Sequence, residues 1–91
     1  MGLQVHLPTL LRPSVGGDAT VVVDAGTLRE AIDTLLDHHP LLRYHLYDGK
    51  GALRTHVLLY YNGESVASMP SLDVPLRPGD ELEVINAVSG G

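Results

Sequence analysis

The residues with the most chemical potential stand at the end of the chain, where Gly90-Gly91 follows directly on Ala87-Val88-Ser89. Two successive residues without a Cβ let a backbone pass through a slot too narrow for any side chain, and take up angles closed to other residues. The reactive group is then the α-carboxylate of Gly91, offered at the tip of a slim stalk. Glycine and serine are also the ordinary composition of frayed chain ends. The dipeptide alone therefore does not separate a chemical handle from a loose end, and the body behind it has to decide.

Other chemistries find little support. His38, His39, His45 and His56 could in principle gather round a metal, but their spacing matches no usual ligand pattern, and adjacent His38 and His39 point to different sides of a helix. There is no cysteine, which excludes disulfides, thiolate metal sites and a cysteine nucleophile. No Ser-His-Asp spacing and no phosphate-cradling glycine loop is present. Tyr44, Tyr47, Tyr60 and Tyr61 are the only aromatics, and they suit core or core-edge packing better than a stacking platform. The expectation is no metal, no bound cofactor and no catalysis by the chain on its own.

Composition narrows the partners. A length of 91 residues with 44% hydrophobic content describes one domain with a core of its own. The net charge of -5, with six scattered bases, argues against nucleic acid, whose phosphates demand clustered Lys and Arg. No apolar run approaches the ~20 residues of a membrane span, and the start Met1-Gly2-Leu3-Gln4 lacks the plan of a signal peptide, so a cytoplasmic protein is expected. Asp80, Glu81 and Glu83 crowd the final strand, with no base after Arg77. Such a field suits a partner with a basic docking face.

The elements that must carry the tail follow from periodicity. Leu3, Val5 and Leu7 alternate with Gln4 and His6 as a half-buried strand that Pro8 and Pro13 end. After a long loop and the turn Gly16-Gly17-Asp18, Thr20-Val21-Val22-Val23 is β-branched throughout and reads as a second strand, hairpinned to the first. Thr27 with Glu30 forms a capping box ahead of Leu28, Ala31, Ile32, Leu35 and Leu36, which share one helical face. Pro40 stops that helix, and Leu42, Leu46 and Tyr47 suit a further short helical turn. Thr55 to Tyr61 reads as a strand closing on the hairpin signal Asn62-Gly63, with Val66 opening a short return strand. The turn Arg77-Pro78-Gly79-Asp80 then launches Glu81-Leu82-Glu83-Val84, an alternating strand that runs almost into the Gly-Gly. One main helix across a mixed sheet of four or five strands is an α+β architecture.

Ile85 and Val88 interrupt the alternation near the C-terminus, and apolar side chains there suit a partner surface, which Val66 would extend from its neighbouring strand. Gly16 and Gly17 read as turn residues.

Taken in order, the hairpin, capped helix, Asn-Gly turn, Pro78-Gly79-Asp80-Glu81 turn, apolar strand and terminal Gly-Gly resemble the ubiquitin-like (β-grasp) sulfur carriers of the ThiS, MoaD and CysO group. The nearest likeness is to the CysO-like branch, through Leu7-Pro8-Thr9-Leu10-Leu11-Arg12-Pro13 with Gly16-Gly17, Tyr60-Tyr61-Asn62-Gly63-Glu64 and Pro78-Gly79-Asp80-Glu81-Leu82. Asn86 departs from the MoaD pattern, which tends to carry Pro at that point.

The resemblance implies a β-grasp domain over residues 1–87 and a flexible tail over 88–91. It implies that a partner adenylyltransferase of the ubiquitin-activating (MoeB/ThiF-like) type spends ATP to adenylate Gly91, and that a sulfur donor displaces AMP to leave a terminal thiocarboxylate. A second partner, a sulfur-accepting biosynthetic enzyme, would take that sulfur into cysteine or another sulfur-containing metabolite. Gly90 and Ser89 would thread the partner's groove, and Val88, Ile85 and Val66 would dock beside it. The chain would be a monomer when free and a co-substrate rather than an enzyme. Three alternatives share these features: a ubiquitin-like modifier joined to target lysines, a molybdopterin synthase small subunit, and an interaction domain with an incidental glycine tail.

Overall fold

The computed structural model describes residues 2–86, and these form a mixed five-stranded sheet with two helices packed across one face. In chain order the elements are β1 (Gly2–His6), β2 (Thr20–Asp24), α1 (Leu28–His38), α2 (Pro40–Leu46), β3 (Val57–Tyr61), β4 (Glu64–Ser65) and β5 (Glu81–Asn86). The strands lie in the order β2-β1-β5-β3-β4, so the last strand of the sequence occupies the centre of the sheet. It runs parallel to β1, with Val5 against Leu82, and antiparallel to β3, with Leu59 against Val84.

The core is aliphatic. Leu3 and Val5 from β1, Leu28, Leu35 and Leu36 from α1, Leu42 and Leu46 from α2, and Leu59, Leu82 and Val84 from the central strands are all buried. Each such side chain contributes about 1.5–3 kcal/mol by leaving water. Polar residues alternate with them on the outer face, where Gln4, Glu81 and Glu83 stand. The expected strand periods are thus the ones that fold.

α1 begins as expected. The Thr27 hydroxyl oxygen accepts the Glu30 backbone N–H at 3.2 Å and lies 3.3 Å from the Glu30 carboxylate, to which it donates. Two further N–H groups of the first turn are taken by a strap of irregular chain: Leu28 donates to the Val74 carbonyl at 3.0 Å and Arg29 to that of Leu72 at 2.9 Å. Leu76, on the same strap, is buried.

Four local expectations are corrected or filled in. Residues Thr9–Val15 are not a loose loop but a 3-10 helix that buries Leu11 and Val15 and ends at Gly16 in the left-handed region. Pro40 stops α1 and then starts α2, because a proline at the first helical position gives up no hydrogen bond. Val66 does not open a return strand, since β4 covers only Glu64–Ser65 and Val66 enters a 3-10 turn. The predicted strand from Thr55 starts two residues later, at Val57.

Candidate functional site

The site is the place where β5 ends. Leu82 and Val84 point into the core while Glu81 and Glu83 point out, and the pleat continues unbroken into the last two residues of the strand. What changes is the chemistry. Ile85 falls on the outer face and Asn86 on the inner one, so polarity is inverted just before the tail. Ile85 does not break the register, as the sequence reading had it; it keeps its place opposite Leu58 in the β3–β5 ladder.

Leu58 is itself 38% exposed, so Ile85 and Leu58 make an apolar pair on the outer face, with Tyr60 and Glu83 forming the next cross-strand pair. Leu58 went unremarked in the sequence because the run Val57-Leu58-Leu59-Tyr60-Tyr61 is apolar on both faces and offers no alternation to read. Val66 is not joined to this pair. It is half-buried and packs against the core cluster after leaving the sheet. Val88, Ser89, Gly90 and Gly91 lie outside the described residues, as do Ala87 and Met1.

Two turns hold β5 at its start. The Asn62-Gly63 turn has positive φ at both residues, 49° and 85°, the conformation that matches a two-residue hairpin to the twist of its strands. Across from it, Gly79 takes φ 87° in the turn Arg77-Pro78-Gly79-Asp80. The buried Asp80 carboxylate joins the two turns. It accepts from the Tyr61 hydroxyl, from Asn62 Nδ2 at 3.1 Å and from the Arg77 backbone N–H at 2.8 Å. Asn62 completes the latch, its Oδ1 accepting the Glu81 N–H at 2.9 Å. The Tyr61 hydroxyl, more than any other donor, holds the Asp80 carboxyl below the usual range. Burial, reinforced by that carboxylate, pushes the Tyr61 phenol up to about 12.

On the outer face His6 is held on both sides, its Nδ1 3.2 Å from Thr20 Oγ1 and its Nε2 3.1 Å from Glu81 Oε1. Where β1 and β5 run out, a cavity of about 410 Å³ opens between His6, Leu7, Arg12, Glu83, Ile85 and Asn86. A larger hollow of about 660 Å³ lies between α2 and the following loop, lined by Tyr44, Tyr47 and Arg54, and shares no residue with the end of β5. Among the described residues no group of three or more His, Cys, Asp or Glu side chains is placed to hold a metal. His45 instead packs edge-on to the Tyr44 ring, with centroids 5.6 Å apart.

No helix among the described residues is long and apolar enough to cross a membrane.

Comparison with known proteins meets this geometry at the level of the whole chain. The model of the ThiS family matches residues 5–91. The sulfur carrier protein CysO of Mycobacterium tuberculosis is 32% identical over 93 residues, covering 100% of both chains. The small archaeal modifier protein 1 of Haloferax volcanii is 36% identical over 80 residues, or 85% of this chain and 87% of that one. A chain in the crystal structure of the Amycolatopsis orientalis BexX/CysO complex superimposes with a TM-score of 0.79 at 30% identity, covering 98% of this chain and 99% of that one. A central β5 that leads into Gly-Gly, a family match reaching the final residue and a full-length sulfur-carrier relative agree: the chain belongs to the ThiS family of ubiquitin-like β-grasp proteins.

Proposed function

We propose that this chain is a sulfur carrier whose C-terminal Gly91 is converted to a thiocarboxylate and used as a sulfur donor by a biosynthetic enzyme. The observation that carries the reading is the route of the chain. β5 is clamped between β1 and β3, and five residues separate its end at Asn86 from the Gly91 carboxylate. A firmly held strand fixes the origin of the tail, so a partner that grips the domain knows where the reacting carboxylate begins.

The chemistry proceeds by ordinary acyl activation. A carboxylate is a poor electrophile, so the Gly91 oxygen attacks the α-phosphorus of ATP in an adenylyltransferase, giving the acyl adenylate and releasing pyrophosphate. A sulfide-level donor adds to the activated carbonyl and expels AMP, leaving the thiocarboxylate. Its sulfur, a soft nucleophile, then displaces the leaving group from an activated carbon of the acceptor in a second enzyme, forming the new C–S bond, and water cleaves the resulting thioester to return the Gly91 carboxylate and free the thiol product. Both enzymes must accept Ser89-Gly90-Gly91 in a narrow groove. The domain docks through Ile85 and Leu58, inside an acidic border of Glu81 and Glu83 that a basic partner surface would match. The chain is a co-substrate in this cycle, and the ATP belongs to its cytoplasmic partner.

The test is truncation. A chain lacking Gly90 and Gly91 should fold as the full chain does and support no ATP–pyrophosphate exchange by the adenylyltransferase that activates the full-length chain. An interaction domain with an incidental tail would keep its function after the same cut.

The 36% identity to a small archaeal modifier protein supports a second reading, in which the same adenylate is attacked by a target lysine. The single lysine, Lys50, leaves one side-chain position for chain-building on the protein itself. Lysine-linked conjugates formed in a lysate without added sulfide would favour this reading, and thiocarboxylate without conjugates would favour the first.

A further inference from the structure

We propose that Asn62 is a latent deamidation site, guarded by its hydrogen bonds to Asp80 and Glu81, and that its conversion to a carboxylate opens the latch at the start of β5. The inference is independent of what happens at Gly91. Asn62-Gly63 turns the β3–β4 hairpin, and both residues are exposed to water. Gly63 has no side chain to shield its amide nitrogen, and nothing lies within 4 Å of where a Cβ would stand. That nitrogen can attack Asn62 Cγ: the new N–Cγ bond closes a five-membered imide, the Gly63 amide proton passes to water, and Nδ2 leaves as ammonia. Water then opens the ring at either carbonyl, giving aspartate or isoaspartate at position 62. The reaction needs no co-reactant besides water.

The fold restrains this chemistry by holding the amide elsewhere. Asn62 Nδ2 donates to Asp80 Oδ1 at 3.1 Å, Asn62 Oδ1 accepts the Glu81 N–H at 2.9 Å, and the Asn62 backbone N–H donates to the Glu81 carbonyl at 3.0 Å. Cyclisation requires Cγ to swing onto the Gly63 nitrogen, so both side-chain bonds must break first and the left-handed backbone of the turn must relax. The reactive population is therefore the fraction of molecules with the latch open. Asp80 is itself fixed by the Tyr61 hydroxyl and the Arg77 N–H, which keeps that fraction small. The product reverses the contact. A carboxylate at position 62 faces the Asp80 carboxylate where an N–H stood, beside Glu81 and with no base after Arg77. Like charges then repel where a donor and an acceptor had joined, so a latch opened this way does not close again.

Mass spectrometry of the folded chain aged in mildly alkaline buffer reads the reaction, as the mass gain of an amide-to-carboxylate exchange mapped by fragmentation to Asn62. The wild-type chain should react slowly, and Asp80→Ala, which removes the acceptor of Nδ2, should react about tenfold faster or more. Tyr61→Phe takes away one of the bonds that fix Asp80 and should give a smaller acceleration, which keeps the test open if Asp80→Ala does not fold. Leu42→Ala is the control, because it leaves a cavity at a buried position of α2 and lowers stability without touching the latch. Its Asn62 should react at the wild-type rate. Equal acceleration in Leu42→Ala and Asp80→Ala would overturn the proposal, since global unfolding would then be the route, and so would an Asp80→Ala rate no greater than the wild type's. Asn62→Asp reproduces one product while keeping a hairpin dipeptide in Asp-Gly, and should melt about 5–15 °C below the wild type. Melting at the wild-type temperature would refute the opened latch.

Discussion

The Tyr61 hydroxyl donates to the Asp80 carboxylate, tying the end of β3 to the turn that launches β5. Because β5 carries the tail, this bond sets where the tail begins. Asp80→Ala removes the acceptor that Tyr61, Asn62 and the Arg77 N–H share, leaving donors unpaired at a buried site. The expected cost is about 2–3 kcal/mol, read as a fall in melting temperature of about 10–20 °C for a domain of this size. A variant that melts with the wild type would show that the latch contributes nothing.

The same latch contributes to the pH response at both ends. The folded Asp80 pKa is depressed below its ordinary 3.8, so its contribution is complete above that value and is lost as pH falls through the folded pKa. The folded Tyr61 pKa is raised from 10.0 to about 12, so its contribution is complete below 10.0 and is lost as pH climbs toward 12. Denaturant titrations should give stability flat between these limits and falling outside them. Asp80→Asn should shrink the acid limb without abolishing it, because the Ala52 and Lys50 backbone N–H groups also hold the Asp48 carboxyl below the usual range, and an unaltered acid limb would assign the loss to other carboxylates.

Docking through Ile85 predicts a selective loss. Ile85→Asp places a charge opposite Leu58 on the outer face and should raise KM for activation about tenfold or more, with the fold retained by circular dichroism. Val22→Asp is the control. Val22 is 66% exposed on the same face but stands in β2, with β1 between it and β5. Equal effects from the two variants would reduce the result to added negative charge, and normal activation of Ile85→Asp would refute docking there.

Gly90→Val tests the narrow groove. The substitution lies beyond β5 and should leave melting unchanged while abolishing activation, because the added branches cannot follow the backbone through a slot fitted to glycine. Thiocarboxylate formation at the wild-type rate by this variant would remove the steric argument.

Legibility in the sequence followed the strength of the local signal. α1 could be read because the Thr27 cap and the apolar spacing from Leu28 to Leu36 agree with one another. β5 could be read because Glu81-Leu82-Glu83-Val84 alternates strictly. The 3-10 helix over Thr9–Val15 was hidden by Pro8 and Pro13, which read as breakers although both suit a tight turn at their positions. α2 was shortened for a related reason, since Pro40 marks an end and a beginning at once. At the site, Ile85 stood out as apolar among carboxylates, whereas its companion Leu58 is one of five apolar residues in a row. The inward turn of Asn86 required the register itself. Only after Leu82 and Val84 are known to face the core does a polar residue two positions on become an anomaly.

The most direct test of the sulfur-carrier account is the intact mass of the full chain after incubation with ATP, a sulfide donor and the partner adenylyltransferase. The account predicts a mass increase equal to exchanging one oxygen for one sulfur, confined by fragmentation to Gly91 and absent without ATP. An unchanged mass with an enzyme that demonstrably adenylates the chain, or a sulfur located anywhere but the terminal carbonyl, would contradict it.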